Sequence, residues 1–189
     1  MNPVKENEAK NIEKFKDYPL DNNIKKALSE LGFKKSLEVQ AKVIPMILEG
    51  RDLIVKSQTG SGKTAAFAIP LCQKIDVELE SPQVLVLTPT RELTVQVKED
   101  MENIGKYTGL KFCALHGNQP MELQRKELKQ KPHVIVTTPG RMMDHLKNKN
   151  IKFHDIKYLV IDEADEMLIM GFKEQIETCL LYTSPSPRD

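Results

Sequence analysis

Several things are scarce in this sequence, and each scarcity narrows what it encodes. No apolar run approaches the roughly 18 residues that a membrane helix needs. The opening stretch, MNPVKENEAKNIEK, is polar and lacks the apolar core of a secretory signal. A cytoplasmic protein with no membrane partner is therefore expected. Neither sign of charge is in excess: 28 basic against 27 acidic residues leave a net +1. That excludes a broad basic nucleic-acid footprint, so any RNA or DNA contact has to be local. Cysteine is sparse too. Cys72, Cys113 and Cys179 lie far apart, without metal-ligand spacing and mostly among apolar neighbours. They read as reduced core residues.

What is present centres on residues 51–64, RDLIVKSQTGSGKT. The run Leu53-Ile54-Val55 predicts a buried parallel strand, followed by a glycine-rich turn and then a helix. That is the layout of a phosphate-binding loop. Gly60 and Gly62 can take positive φ and let the backbone approach a ligand closely. The amides of Ser57, Gln58, Thr59, Gly60, Ser61, Gly62 and Lys63 would face phosphate oxygens, aided by the positive end of the following helix. Lys63 would add an ammonium, and the Thr64 hydroxyl would help to hold Mg²⁺. The common pattern opens on glycine, whereas Ser57 stands there. A plain Gly-Ser turn before a helix is the competing reading.

Around this loop the chain alternates strands and helices. Helices are predicted over 21–31, capped by Asp21 and closed by Gly32, and over 39–48, with Pro45 inside. Apolar runs at 84–87, 110–115, 134–136 and 158–161 predict strands, with amphipathic stretches at 91–106, 120–130 and 140–148 between them. Phe172, Ile176 and Leu180 suggest a last helix. Continuous apolar strands alternating with helices imply an α/β fold: a parallel sheet with helices on both faces. Ligands in such sheets bind beyond the strands' carboxyl ends, and here every strand ends in a polar or glycine-containing signal. One such end is Asp162-Glu163-Ala164-Asp165. An acid after a buried strand is the usual companion of a phosphate loop, with Asp162 on Mg²⁺ and Glu163 orienting water. Alone, four such letters would more often be a solvated turn or helix start. The histidines are scattered and read as surface or edge residues, and the methionines as helix packing.

SQTGSGKT and DEAD, in that order, resemble the DEAD-box RNA helicases over about residues 15–180. The resemblance implies a RecA-like P-loop NTPase domain, the first of two in that family, with ATP and Mg²⁺ as cofactors and RNA as partner. It assigns Lys63, Asp162 and Glu163 to catalysis and Gln40 to reading adenine. A carboxamide offers the matching donor and acceptor. It gives Phe15 the role of stacking on the base. Pro89, Thr90 and Arg91 resemble one backbone-contacting motif, and Thr138, Pro139, Gly140 and Arg141 another. Gly117-Asn118 occupies the place of a Gly-Gly pair. Such groups hold sugar and phosphate without reading bases. Asp165 is assigned to interdomain coupling. Ser36-Leu37 replaces the usual Pro-Thr before the glutamine.

Some of the wording is similar to the bacterial DbpA-type subgroup, which acts on large-subunit ribosomal RNA. That implies a role in ribosome assembly. The expected organisation is a flexible segment over 1–13, an ATP-binding domain over 14–180, and a disordered or non-native tail over 181–189. The family's Ser-Ala-Thr motif and its second RecA-like domain, with arginine fingers, are not found. An arginine supplied across such a cleft is worth roughly 10³–10⁵ in rate for related nucleotide hydrolases. The chain alone is therefore expected to be nearly inactive. A different ATPase of the same core, or a non-catalytic nucleotide- or RNA-binding fragment, are the alternatives.

Overall fold

A computed structural model describes residues 14–183 except Thr59 and Lys152. The chain divides into two compact units. The first holds the residues up to Lys74 with the short segment 103–108, and the second holds the rest.

In the first unit a 3-10 turn, Phe15–Asp17, leads to α1 (Asn22–Glu30), α2 (Glu38–Leu48) and α3 (Lys63–Lys74). Asp21 stands at the N-cap of α1, yet its side chain makes no capping bond. Gly32 closes the helix at φ +78°, with the Phe33 amide donating to Leu28 O. That geometry is costly for any residue with a Cβ. α2 and α3 pack on each other, and α1 packs on α3 and on the turn. The predicted strand at Leu53-Ile54-Val55 does not form. The segment runs on without strand pairing, and Ile54 is 99% exposed. An apolar run states an appetite for burial. A strand also needs a neighbour for its ladder bonds, and none is provided among the described residues.

The second unit is a four-stranded parallel sheet in the order β2-β3-β1-β4. The strands are β1 (Val84–Leu87), β2 (Phe112–Leu115), β3 (Val134–Thr137) and β4 (Tyr158–Ile161). Its helices are α4 (Arg91–Ile104, of which 103 and 104 group with the first unit), α5 (Met121–Leu128), α6 (Pro139–Lys147), α7 (Ala164–Ile169) and α8 (Lys173–Thr183). On one face Leu85, Leu87, Cys113, Leu115 and Ile135 pack with Met142 of α6, Met167 of α7, and Ile176 and Cys179 of α8. On the other, Val84, Val86, Val134 and Val136 are fully buried. There the Thr88 hydroxyl meets that of Thr94 on α4 at 2.7 Å. The β1-to-β2 and β3-to-β4 connections run in opposite directions and use opposite faces, as a single hand of crossover requires. β4 lies at an edge, and all four of its residues are only half-buried.

Two expectations need correction here. α8 continues through Leu181 and Tyr182 to Thr183, inside the stretch expected to lack helical structure. His133 and His145 are buried, not surface residues. Residues 1–13 and the end of the tail, 184–189, lie outside the described residues. The three cysteines are free and buried, as expected. No helix among the described residues is long and apolar enough to cross a membrane.

Leu85, on β1, is fully buried in the sheet core. Leu85→Ala should cost about 2–5 kcal/mol in chemical denaturation. Leu123→Ala, at a 46% exposed position, should stay within about 0.5 kcal/mol. Equal losses in the two variants would remove the sheet core from its central place.

Candidate functional site

In the first unit, the phosphate-loop candidate leads directly into α3, whose first residue is Lys63. Gly60 and Gly62 sit at φ +76° and +89°. A Cβ on Gly62 would fall 2.6 Å from Gln40 Nε2 and 2.8 Å from Leu37 Cδ1. Only glycine meets both demands, on φ and on space. The ammonium of Lys63 donates to Ser57 O (2.7 Å) and Gln58 O (3.2 Å), while the Ser57 and Ser61 hydroxyls lie 2.9 Å apart. Thr64 follows, half-buried, at the second position of α3. The lysine thus occupies its own loop, held by carbonyl oxygens where phosphate oxygens would serve equally well. Thr59 lies outside the described residues.

Gln40 is buried and does two jobs. Its Oε1 accepts the Leu37 amide (2.8 Å), closing a box at the start of α2, and its Nε2 donates to Gly62 O (3.2 Å). The adenine-reading candidate therefore braces the phosphate loop. Phe15 departs further from expectation. Only 2% of it is exposed, and its ring packs against Tyr18 and Phe33 at 5.6 and 5.7 Å. It is a core residue, because aromatic burial outweighs leaving a ring open to solvent.

In the second unit, the strand ends gather the remaining candidates. The Asp162 amide donates to Leu87 O (3.0 Å), so its buried carboxylate stands just past β4, level with the end of β1. Glu163 adopts a left-handed conformation, φ 53° and ψ 49°. That is uncommon for a residue with a side chain and tends to mark functional positions. Asp165 is exposed in the first turn of α7. Among the described residues no three His, Cys, Asp or Glu side chains are placed to hold a metal ion unaided. Mg²⁺ does not need such a cage, since it usually keeps waters and takes phosphate oxygens.

The nucleic-acid candidates converge at the ends of β1, β2 and β3. Thr88 N bonds Thr137 O, and Thr138 N bonds Leu115 O, so the three exits stay level. Thr90 caps α4 through Leu93 N (3.2 Å), with Pro89 before it and Arg91 exposed at the first helical position. Pro139 and Gly140 open α6 after Thr138. The chain leaves β1 toward one face and β3 toward the other. Adjacent strands of that kind open a crevice suited to ligands. Arg141 is not the open cation that the sequence suggests. Its side chain is 11% exposed, and its Nη2 donates to Gly117 O (2.7 Å). Its Nε and His116 Nδ1 are buried without a hydrogen-bond partner among the described residues. Burial, then the charges of Arg91 and Arg141, hold the His116 imidazole below its ordinary range. Glu127 and Glu92 oppose that shift, and Asp144 Oδ2 lies 3.8 Å from Arg141 Nε, so cations and carboxylates share this patch.

Sequence reasoning missed Gln124 and His145, both fully buried. His145 Nε2 lies 2.8 Å from Gln124 Oε1, and Gln124 Nε2 reaches His116 O at 2.7 Å. No motif marks them. The available signal was a polar residue on the apolar stripe of each helix, with Met142 three before His145 and Leu128 four after Gln124.

A parallel sheet wound on both faces, with a glycine loop opening a helix, defines a RecA-like nucleotide-binding domain. The sequence model of the DEAD/DEAH box helicase family matches residues 37–188. The chain belongs to that family. It is 49% identical over 185 residues to the ATP-dependent RNA helicase DbpA of Bacillus subtilis (strain 168), covering 93% of this chain and 39% of that protein. It is also 49% identical over 167 residues to the ATP-dependent RNA helicase DeaD of Escherichia coli (strain K12), covering 88% of this chain and 27% of that protein. Among solved structures it resembles a DEAD box protein from the hyperthermophile Methanococcus jannaschii, with a TM-score of 0.86 at 38% identity over 90% of this chain and 47% of that one. A second, described as a hypothetical ATP-dependent RNA helicase from Sulfolobus tokodaii, gives 0.79 at 40% identity over 87% of this chain and 47% of that one. The chain spans well under half the length of the curated relatives it matches.

Two outcomes follow from this geometry. Gly62→Ala should lower stability by about 1–3 kcal/mol through the forced backbone conformation and break the Gln40 contact. Unchanged denaturation and an unshifted Gln40 carboxamide resonance would show that the loop tolerates a Cβ. The second concerns acid. Burial first, then the Arg141 charge, push His145 down to about 4, with Asp144 opposing and Arg125 adding a little. The unfolded chain protonates this side chain near 6.5 and so binds more protons between the two values. Stability that is complete above pH 6.5 should fall as pH drops toward 4, with His116 and His133 contributing in the same sense. Melting temperatures across that range should show a shallower acid limb in His145→Gln. An identical limb would clear His145 of the effect.

Proposed function

We propose that the chain is the ATP-binding, first RecA-like part of an ATP-dependent RNA helicase. Residues 14–180 supply one half of a catalytic cleft, and a second domain supplies the other. What supports this most directly is the phosphate loop, with its two positive-φ glycines and Lys63 at the head of α3, in a member of a helicase family. Ser57, Gln58, Thr59, Gly60, Ser61 and Gly62 wrap the phosphates of ATP. Lys63 exchanges its two carbonyl partners for phosphate oxygens. Thr64 and Asp162 hold Mg²⁺, and Glu163 accepts a proton from the attacking water. Gln40 recognises adenine while bracing Gly62. Phe15 supports that segment from the core. Asp165 couples the nucleotide to the second domain. The magnesium ion, when bound, neutralises charge developing on the phosphates.

RNA runs along the backbone-binding patch of Pro89, Thr90, Arg91, Gly117, Thr138, Pro139, Gly140 and Arg141. Contacts to sugar and phosphate give weak sequence preference. A ribosomal RNA substrate, a role in ribosome assembly and a cytoplasmic location are the finer proposals, suited to the likeness to DbpA. Without the second domain the chain binds nucleotide weakly and turns it over little, because cleft closure completes the catalytic set.

Titration with a fluorescent adenine nucleotide and a guanine control tests the assignment. Saturable binding of the adenine probe only, lost in Lys63→Ala with the melting temperature kept, is expected. Equal binding of both probes, or a lysine variant that unfolds, would overturn the nucleotide site. RNA-stimulated turnover at full helicase rates by this chain would overturn the division of labour.

A further inference from the structure

The loop from His116 to Pro120, between β2 and α5, is tied down from below. Gln124 Nε2 donates to His116 O (2.7 Å) and to Gln119 O (3.4 Å), and Arg141 Nη2 donates to Gly117 O (2.7 Å). The His116 and Gln119 carbonyls are therefore tied to a buried donor, while that of Gly117 is met by Arg141 at an exposed bond. Gln124 has no solvent exposure and is itself held by His145 of α6, equally buried, with Nε2 at 2.8 Å from Gln124 Oε1. The proton placement follows from the partners. Gln124 Nε2 faces two carbonyl oxygens, which only accept, so its Oε1 faces His145. His145 must then donate from Nε2. Its Nδ1, 3.1 Å from the Asn150 amide nitrogen, accepts. The ring is neutral, and each polar end of the pair has a partner.

We propose that Gln124, oriented by His145, is a positioning residue for RNA binding: it fixes the 116–119 loop so that Gly117, Asn118 and Arg141 meet the sugar-phosphate backbone in a preset geometry. This rests on the RNA reading proposed above. A phosphate is repelled by the negative end of a carbonyl and attracted to cations and amides. Engaging the His116, Gly117 and Gln119 carbonyls with side-chain donors turns three acceptors away from a phosphate placed beside Arg91 and Arg141, with the Asp144 carboxylate, 3.8 Å from Arg141 Nε, opposing it. The pair adds no charge of its own. If the two side chains served only to fill space between α5 and α6, apolar residues of similar volume would do so without desolvating a carboxamide and an imidazole. Their polarity has a use because the loop carbonyls need buried donors. The same tie links the two ends of the patch. Arg141, four residues before His145 on α6, reaches the loop directly, and His145 reaches it through Gln124. A loop ordered before binding spares the ligand the cost of ordering it.

The experiment uses this chain, a short fluorescein-labelled oligouridine as probe, and amide hydrogen exchange. Gln124→Met and His145→Leu should weaken RNA binding in anisotropy titrations by about tenfold, the scale of one lost buried hydrogen bond. They should also speed exchange in residues 116–119 relative to the strands. His145→Gln, which keeps a donor toward Gln124, should recover most of both. Apolar variants that match the wild type in affinity and loop exchange would overturn the proposal. So would His145→Gln behaving like His145→Leu. If a variant unfolds, exchange and binding in Gln124→Asn, which shortens the reach without removing the amide, decide the matter, with unchanged values counting against it. If neither the wild type nor any variant binds the probe, the RNA reading fails, and loop exchange alone then judges whether Gln124 holds the loop.

Discussion

Parallel register at the sheet's carboxyl edge governs the second unit of this protein, which carries the candidate nucleic-acid residues. Val84, Phe112 and Tyr158 start level with Val134 or with one another across the four strands, and Leu87, Leu115 and Ile161 finish level with Thr137 or Leu87. Because side chains alternate along a strand, a slip by one residue would invert every inward valine and leucine. The register that buries the core therefore also sets the height at which Thr88, His116, Thr138 and Asp162 emerge. Function-bearing loops need no separate mechanism to find one another. They are delivered to one rim by the packing of apolar residues well below them.

The rim is then refined by polar bonds that carry little energy singly. The Thr88 and Thr94 hydroxyls join the exit of β1 to α4, Arg141 joins α6 to the loop after β2, and Gln124 ties that loop to α5. Each is worth about 1 kcal/mol net, but leaving one buried partner unmet costs more. This asymmetry makes such a network specify one arrangement of loops. The nucleotide loop follows a similar logic in its own unit. Gln40 satisfies a helix start with one end of its carboxamide and braces Gly62 with the other, so the candidate adenine reader is also a strut. Glu163, held left-handed at the head of α7, shows strain carried at a position where chemistry is proposed.

Where the structure departs from the sequence reading, the reasons are physical. Leu53-Ile54-Val55 is apolar enough for a strand, but a strand is a relation between two segments, and the letters of one cannot name the other. The resemblance gave Phe15 the role of stacking on the base. Tyr18 and Phe33 are close enough to enclose it, and no local pattern reveals that closure. Gln124 and His145 went unread because a polar residue on a helix's apolar stripe looks like an interruption until its partner on another helix is known.

Local chemistry was decided in the sequence. Glycine spacing, the Lys63-Thr64 pair, four apolar runs ending in polar signals and the DEAD string are short-range features, each with a mechanism that works within a few residues. They were enough for the α/β class and the family. Tertiary structure decided strand order, which rings and histidines are enclosed, where Arg141 spends its guanidinium, and which buried amide holds the 116–119 loop. Those outcomes depend on contacts between residues tens of positions apart, and solvent exclusion settles them only when the whole sheet and its helices close together.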